Sequence, residues 1–270
     1  GGFCIFVPGN ETLKNKSRLL RKGDLTQGGI TGTLLHFTLP MMVGAFLQQC
    51  YNIADTLIVG QCIGAGALAA VGSAYTLMVF LISVLLGLAM GSGTVFSLHY
   101  GAGNHVALRR SIFSSFVLIG IVTLILNVAV FIWLDPILRL LQVPQDIYGM
   151  MRSYLWIIFC GIVFTFIYNF YASLLRAVGD SVTPLWFLAV SVVLNIALDL
   201  FFILQLDWGI QGAAAATVLA QGVAALGIII YTYRRRPELR WHHEDMCFDR
   251  TCLKEIASFS TLTCIQQSVM

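Results

Sequence analysis

The stretch SVVLNIALDLFFIL, residues 191–204, is almost wholly apolar, yet it carries Asn195 and Asp199. Four residues apart on a helix, the two side chains project from one face. Asp55 stands in a similar setting, preceded at helical spacing by Gln48, Tyr51 and Asn52, and the run GIQGAAAATVLAQ at 209–221 carries Thr217. An ionised Asp at the centre of a membrane helix costs about 2.5–3.5 kcal/mol on insertion scales, and ionisable groups kept there are functional by default. Carboxylate, amide and hydroxyl oxygens together suit a hard cation. A carboxylate taken out of water is equally a site for a proton. The competing explanation, a structural polar contact or an Asp close to the interface, is weaker for the pair than for Asp55 alone.

Six segments are long and apolar enough to position these residues across a bilayer, which needs about 20 residues each. They are 34–60, 67–98, 111–134, 153–175, 183–204 and 211–233, with a seventh starting near Leu253. Hydrophobic residues make up 58% of the chain and charged residues 11%, and this excludes an ordinary soluble domain, which would carry about 25% charge. A transmembrane barrel would show segments of about ten residues with strict alternation. The expected fold is therefore all-α and membrane-embedded. Asp55 in the first span and Asp199 in the fifth each lie five residues before the outer end, and Thr217 lies six residues into the sixth. All three fall at one depth, in the outer part of the membrane.

The loops set the orientation. Of the 16 Lys and Arg residues, 14 fall in the N-terminal arm, after the second, fourth and sixth spans, or at the start of the seventh; only Arg139 and Arg152 fall opposite. The positive-inside rule places the N-terminus in the cytoplasm. On this topology the sequons at Asn10 and Asn15 face the cytoplasm and go unused. No signal peptide is recognised, and both ends of the sequence look cut. The seven cysteines are scattered with no CxxC pair, so neither a disulfide framework nor a redox motif is expected. His242, His243, Cys247 and Cys252 match no common zinc spacing and read as a solvated loop. GAGALA at 64–69 has no strand before it, so it is a short outer loop rather than a dinucleotide motif. Gly87 and Gly91 suit close helix packing. The basic arm has almost no aromatic interleaving, so no nucleic acid is expected as partner. No catalytic grouping or resident cofactor is expected, and the chain is not read as an enzyme.

Leu47–Cys50 read LQQC and Ile265–Ser268 read IQQS, an offset of 218 residues. This suits a parallel repeat of a six-helix unit, a transporter architecture. The expected organisation is an N-terminal arm at 1–30, a six-helix lobe at 31–233, an inter-lobe loop at 234–252, and the start of a second lobe at 253–270.

The segments YNIADTLIVGQCIGAGALAAVG at 51–72, LLRAVGDSVTP at 174–184, NIALD at 195–199 and GIQGAAAATVLAQ at 209–221 resemble the multidrug and toxic compound extrusion (MATE) family. The likeness runs from about residue 30 onward and is nearest the branch named for a DNA-damage-inducible member. It implies one lobe of a twelve-helix, two-lobe antiporter that exports organic cations and other amphipathic compounds in exchange for H⁺ or Na⁺. It also implies a cell-membrane location. In that branch a cation site uses an Asp of the first helix, an Asn-x-x-x-Asp of the fifth and a Thr of the sixth. The matching residues are Asp55, Asn195, Asp199 and Thr217. Gln48, Tyr51 and Asn52 are candidates for the substrate cavity. A complete second lobe is required for transport.

A lipid-linked oligosaccharide flippase of the same superfamily is the alternative, but its cavity should hold several basic residues, and these spans have almost none. A receptor does not predict two Asp at matched depth. Pro40, inside the first span, removes a backbone hydrogen bond to the His36 carbonyl and is a candidate hinge.

Overall fold

The computed structural model describes residues 30–240, 254–261 and 263. The helices are α1 (Ile30–Cys62), α2 (Ala65–Gly101), α3 (His105–Leu140), α4 (Gln145–Cys160), α5 (Ile162–Ala177), α6 (Val182–Leu200) and α7 (Gly209–Arg235). A π-helical turn, Phe201–Gln205, follows α6, a 3₁₀ turn, Pro237–Leu239, follows α7, and 254–261 is the helical segment α8. No strand occurs among the described residues. Tight turns join the helices. Gly64 takes a φ of 115° between α1 and α2, a left-handed conformation that favours glycine. The Asn104 side chain accepts from the Ala107 N–H at 3.1 Å and caps α3. Asp180 accepts from the backbone N–H and the hydroxyl of Thr183, at 3.0 and 2.8 Å, and opens α6.

The expected spans are all present as helices, with three differences. The fourth is broken: α4 and α5 meet at 46° across Gly161. The fifth ends in the π turn rather than in regular helix. GAGALA is mostly not a loop, since Ala65 onward already belongs to α2. Four helices, α2, α3, α6 with its π turn, and α7, are long and apolar enough to cross a membrane, and the bent α4–α5 pair makes a fifth. At 33 residues α1 is long enough, but it is not one of these. The run from Gln48 to Asp55 interrupts its apolar length with Gln48, Gln49, Asn52 and Asp55.

The organising element is α7, which packs against α6, α5, α4 and α1, while α2 packs against α5, α3, α4 and α1. One apolar cluster gathers Val59, Leu85, Leu134, Met151, Leu155 and Phe159. The other is aromatic. Phe170 is fully buried, with Phe96, Phe116 and Phe166 centred 5.9, 5.3 and 6.0 Å away. Close glycine packing holds at Gly91, where an added Cβ would come within 2.5 Å of the Ser260 Cα on α8. The N-terminal arm with its sequons, the loop with His242, His243, Cys247 and Cys252, and the IQQS echo lie outside the described residues.

Candidate cation site

Three helices bring the four expected residues together. The α7 run from Ala213 to Ala216 explains how: Ala213, Ala214 and Ala216 are fully buried, and small side chains let helices approach closely. Asn195 and Asp199 on α6 are completely buried, and Asp55 on α1 and Thr217 on α7 are only 8% and 7% exposed. Asn195 is the joint. With its amide nitrogen toward the carboxylate, it donates to Asp199 Oδ2 at 3.1 Å and accepts from the Thr217 backbone N–H at 3.3 Å. Turned over, its amide nitrogen lies 3.3 Å from Thr217 Oγ1. The Tyr51 hydroxyl donates to Thr217 Oγ1 at 3.2 Å, tying α1 to α7.

Asp55 on α1 and Asp199 on α6 are close enough for their carboxyls to interact. One oxygen of each, Asp55 Oδ1 and Asp199 Oδ1, is buried with no hydrogen-bond partner among the described residues. A buried polar atom without a partner costs about 1–3 kcal/mol, more if charged. Two bare negative charges about 4 Å apart repel by about 4 kcal/mol at an effective dielectric of about 20. A proton shared between them, or a cation held by both, relieves both costs. With the oxygens of Asn195 and Thr217, the donor set is all oxygen, which suits Na⁺ better than a transition metal.

The remaining sequence candidates fall differently. Tyr51 joins the site. Gln48 is exposed, and Asn52 turns to its own helix, donating to Gln49 Oε1 at 3.1 Å. Pro40 is partly buried within a continuous α1, far along the chain from Asp55. Sequence reasoning missed Tyr154 on α4, which is buried and lies in the electrostatic field of Asp55, Asp199 and Tyr51. It also missed the π turn directly after Asp199, a distortion that recurs at functional sites, and Gly161. A Cβ on Gly161 would meet Val218, the neighbour of Thr217, with Cγ1 at 2.7 Å. The only available signal was that a glycine interrupted an otherwise unbroken apolar span.

Residues 40–201 match the MatE family model. The probable multidrug resistance proteins YpnP and YoeA of Bacillus subtilis are 37% and 32% identical over 213 and 209 residues, covering 79% and 76% of this chain but 48% and 45% of theirs. The multidrug export protein MepA of Staphylococcus saprophyticus is 31% identical over 210 residues, covering 75% of this chain and 45% of its own. The chain thus spans about half the length of the curated relatives it matches. Among solved structures, an outward-facing multidrug resistance MATE family transporter of the MOP superfamily superposes with a TM-score of 0.85 at 25% identity, over 91% of this chain and 55% of that one. A MATE protein in the bent conformation gives 0.84 at 25% identity, over 93% and 55%. The residues matched by the family model, and this likeness to half of a solved transporter, show that the chain belongs to the MatE family of multidrug transporters.

Proposed function

We propose that this chain supplies the first lobe, residues 31–233, of a secondary antiporter that exports organic cations or drugs in exchange for H⁺ or Na⁺. On this reading the loop at 234–252 leads into a second lobe, and both are needed for transport. The observation that carries the reading is the pair of buried carboxyls, each with an oxygen that has no hydrogen-bond partner among the described residues, where α1, α6 and α7 meet. The names of YpnP, YoeA and MepA, multidrug resistance and export proteins, support the substrate class. The distribution of Lys and Arg supports a cytoplasmic N-terminus in the cell membrane.

The coupling follows from differential affinity. An ion can drive a conformational cycle only by binding one state more tightly than the other. Asp55 belongs to a different helix from Asn195 and Asp199, and α1 reaches Thr217 on α7 through one hydrogen bond from Tyr51. A small displacement of α1 therefore opens or closes the donor set without unfolding anything. The test is Asp199→Asn in the full-length protein, purified and reconstituted under an imposed pH or Na⁺ gradient. The variant is expected to fold and bind drug, and to lose ion-driven efflux. Wild-type efflux per folded molecule would end the proposal.

A further inference from the structure

The two ends of the cation site are unlike. Toward the end of the lobe that holds the Gly64 and Asp207 turns, an apolar side chain stands one helical turn beyond each site residue. Val59 follows Asp55 on α1, Ile203 follows Asp199 in the π turn after α6, and Ala213 precedes Thr217 on α7, which runs the opposite way. A spacing of four places each over its site residue. All three are buried, and they belong to one apolar cluster with Ile210 and Ala214. At the same end Phe202 lies against Gly212, where an added Cβ would stand 3.0 Å from the Phe202 Cβ, and its ring stacks on Trp208 with centroids 5.1 Å apart. The π turn carries this arrangement: Phe202 and Ile203 turn inward, while Phe201 and Leu204 stay exposed.

One turn the other way, the same three helices carry polar groups: Tyr51 on α1, Asn195 on α6 and Gln221 on α7. Beside Asp55, the α1 surface bears Gln49, Asn52 and Thr56 at spacings of three and four. Gln49 and Thr56 are exposed, and Asn52 is half-buried. Asn52 joins them, its amide donating to Gln49 Oε1 at 3.1 Å and its carbonyl accepting from the Thr56 hydroxyl at 2.7 Å. Polar side chains at this depth face a bundle interior or a water-filled cavity rather than lipid.

We infer that Val59, Ile203 and Ala213 form an apolar plug that closes the site toward the Gly64–Asp207 end, so that the coupling ion enters and leaves only along the Gln49–Asn52–Thr56 strip of α1. The inference rests on the reading of Asp55 and Asp199 as the ion site, and on the topology in which that end is the outer one. A constriction lined by hydrocarbon excludes water and hydrated ions, because it offers no oxygen in place of the water lost. A proton is stopped too, since it needs a chain of waters to cross. When the strip faces the cytoplasm, an opening through the plug would join the two solutions through the site and dissipate the gradient without moving drug.

The experiment uses full-length, reconstituted protein under an imposed H⁺ or Na⁺ gradient with no drug present, and reads ion flux with an indicator dye inside the vesicles. Ile203→Thr and Ile203→Val remove the same volume, and only the first adds a hydroxyl. Ile203→Thr is expected to raise drug-free ion flux at least about fivefold, since the hydroxyl offers a passing water one hydrogen bond where there was none. It is also expected to lower the drug exported at a given gradient. Ile203→Val is expected to stay as tight as the wild type, and adding Asp199→Asn to Ile203→Thr is expected to abolish the leak. Should Ile203→Thr fail to fold, the isosteric Val59→Thr takes its place. Wild-type tightness in both threonine variants, or an equal leak in Ile203→Val, would overturn the inference. So would a leak that persists with Asp199→Asn, since the ion then passes elsewhere. Asp199→Asn alone separates the two readings. Coupling lost there, with no leak in the threonine variants, removes only the plug. Coupling retained there removes the ion site itself.

Discussion

Gly161→Ala tests whether the broken span positions the site. The added Cβ would sit 2.7 Å from Val218 Cγ1 and 3.0 Å from its Cβ, well inside van der Waals contact. Val218 cannot swing away cheaply, since a β-branched side chain is held to one main rotamer on a helix. Overpacking of this kind costs about 1–3 kcal/mol, offset by up to about 1 kcal/mol from the lost flexibility of glycine. A net destabilisation of about 1–2 kcal/mol corresponds to a few degrees of melting temperature, at about 2–4 °C per kcal/mol in a domain of 150–250 residues. The displacement also has a functional reading. Thr217 adjoins Val218, and its hydroxyl lies 3.2 Å from its donor Tyr51. Bonds between hydroxyls usually span about 2.5–3.0 Å, so this one is already long and a shift of α7 by a fraction of an ångström loosens the site as well. The assay is a double-mutant cycle in the full-length protein, with Gly161→Ala, Val218→Ala and both together, read by melting temperature and ion dependence of efflux. In the double variant the new methyl occupies the space Val218 gives up, so the two costs should partly cancel, with a coupling of at least about 1 kcal/mol. Additivity within about 0.5 kcal/mol would refute the close approach.

Tyr51→Phe removes the hydrogen bond from α1 to α7, and a fall in ion affinity of about fivefold is expected, measured as the half-saturating ion concentration for efflux; no change would place Tyr51 outside the site. Gly91→Ala drives a Cβ to 2.5 Å from the Ser260 Cα and 2.6 Å from its N, and is expected to detach α8 from α2. Faster labelling of a cysteine placed at Ile256, which is fully buried in the native packing, reads that detachment, and unaltered protection would contradict it. For orientation, an impermeant thiol reagent applied to intact cells should label a cysteine at Asp207 but not one at Arg110, and the reverse pattern would invert the topology.

The helices and the four candidate residues that the fold brings together were legible because membrane spans declare themselves by apolar length, and because an Asp in such a span has few bland explanations. Asn195 and Asp199 were linked by their spacing alone. Thr217 needed a depth argument, and the meeting of the three helices needed the small side chains at Ala213, Ala214 and Ala216 to be recognised as an interface. What stayed hidden is geometry that no periodicity encodes. The span broken at Gly161 reads as continuous, since a single glycine in an apolar run is tolerated in membrane helices. The π turn at Phe201–Gln205 has the same composition as the α-helix it follows. Gln48 shows the opposite failure. Spacing places it on the polar stripe of α1, but that stripe is broad, and only its Tyr51–Asp55 part turns inward.

The polar middle of α1 bears on how the protein is made. A helix with Gln48, Gln49, Asn52 and Asp55 at its centre is a poor candidate for entering lipid on its own, because each such residue opposes partition. Its partners for Asp55 and Tyr51 lie on α6 and α7, more than 130 residues later in synthesis. Until those helices emerge, α1 has nothing to shield its polar face. Insertion of this lobe is therefore non-sequential: α1 leaves the ribosome before α6 and α7 but settles only once they supply the partners of Tyr51 and Asp55.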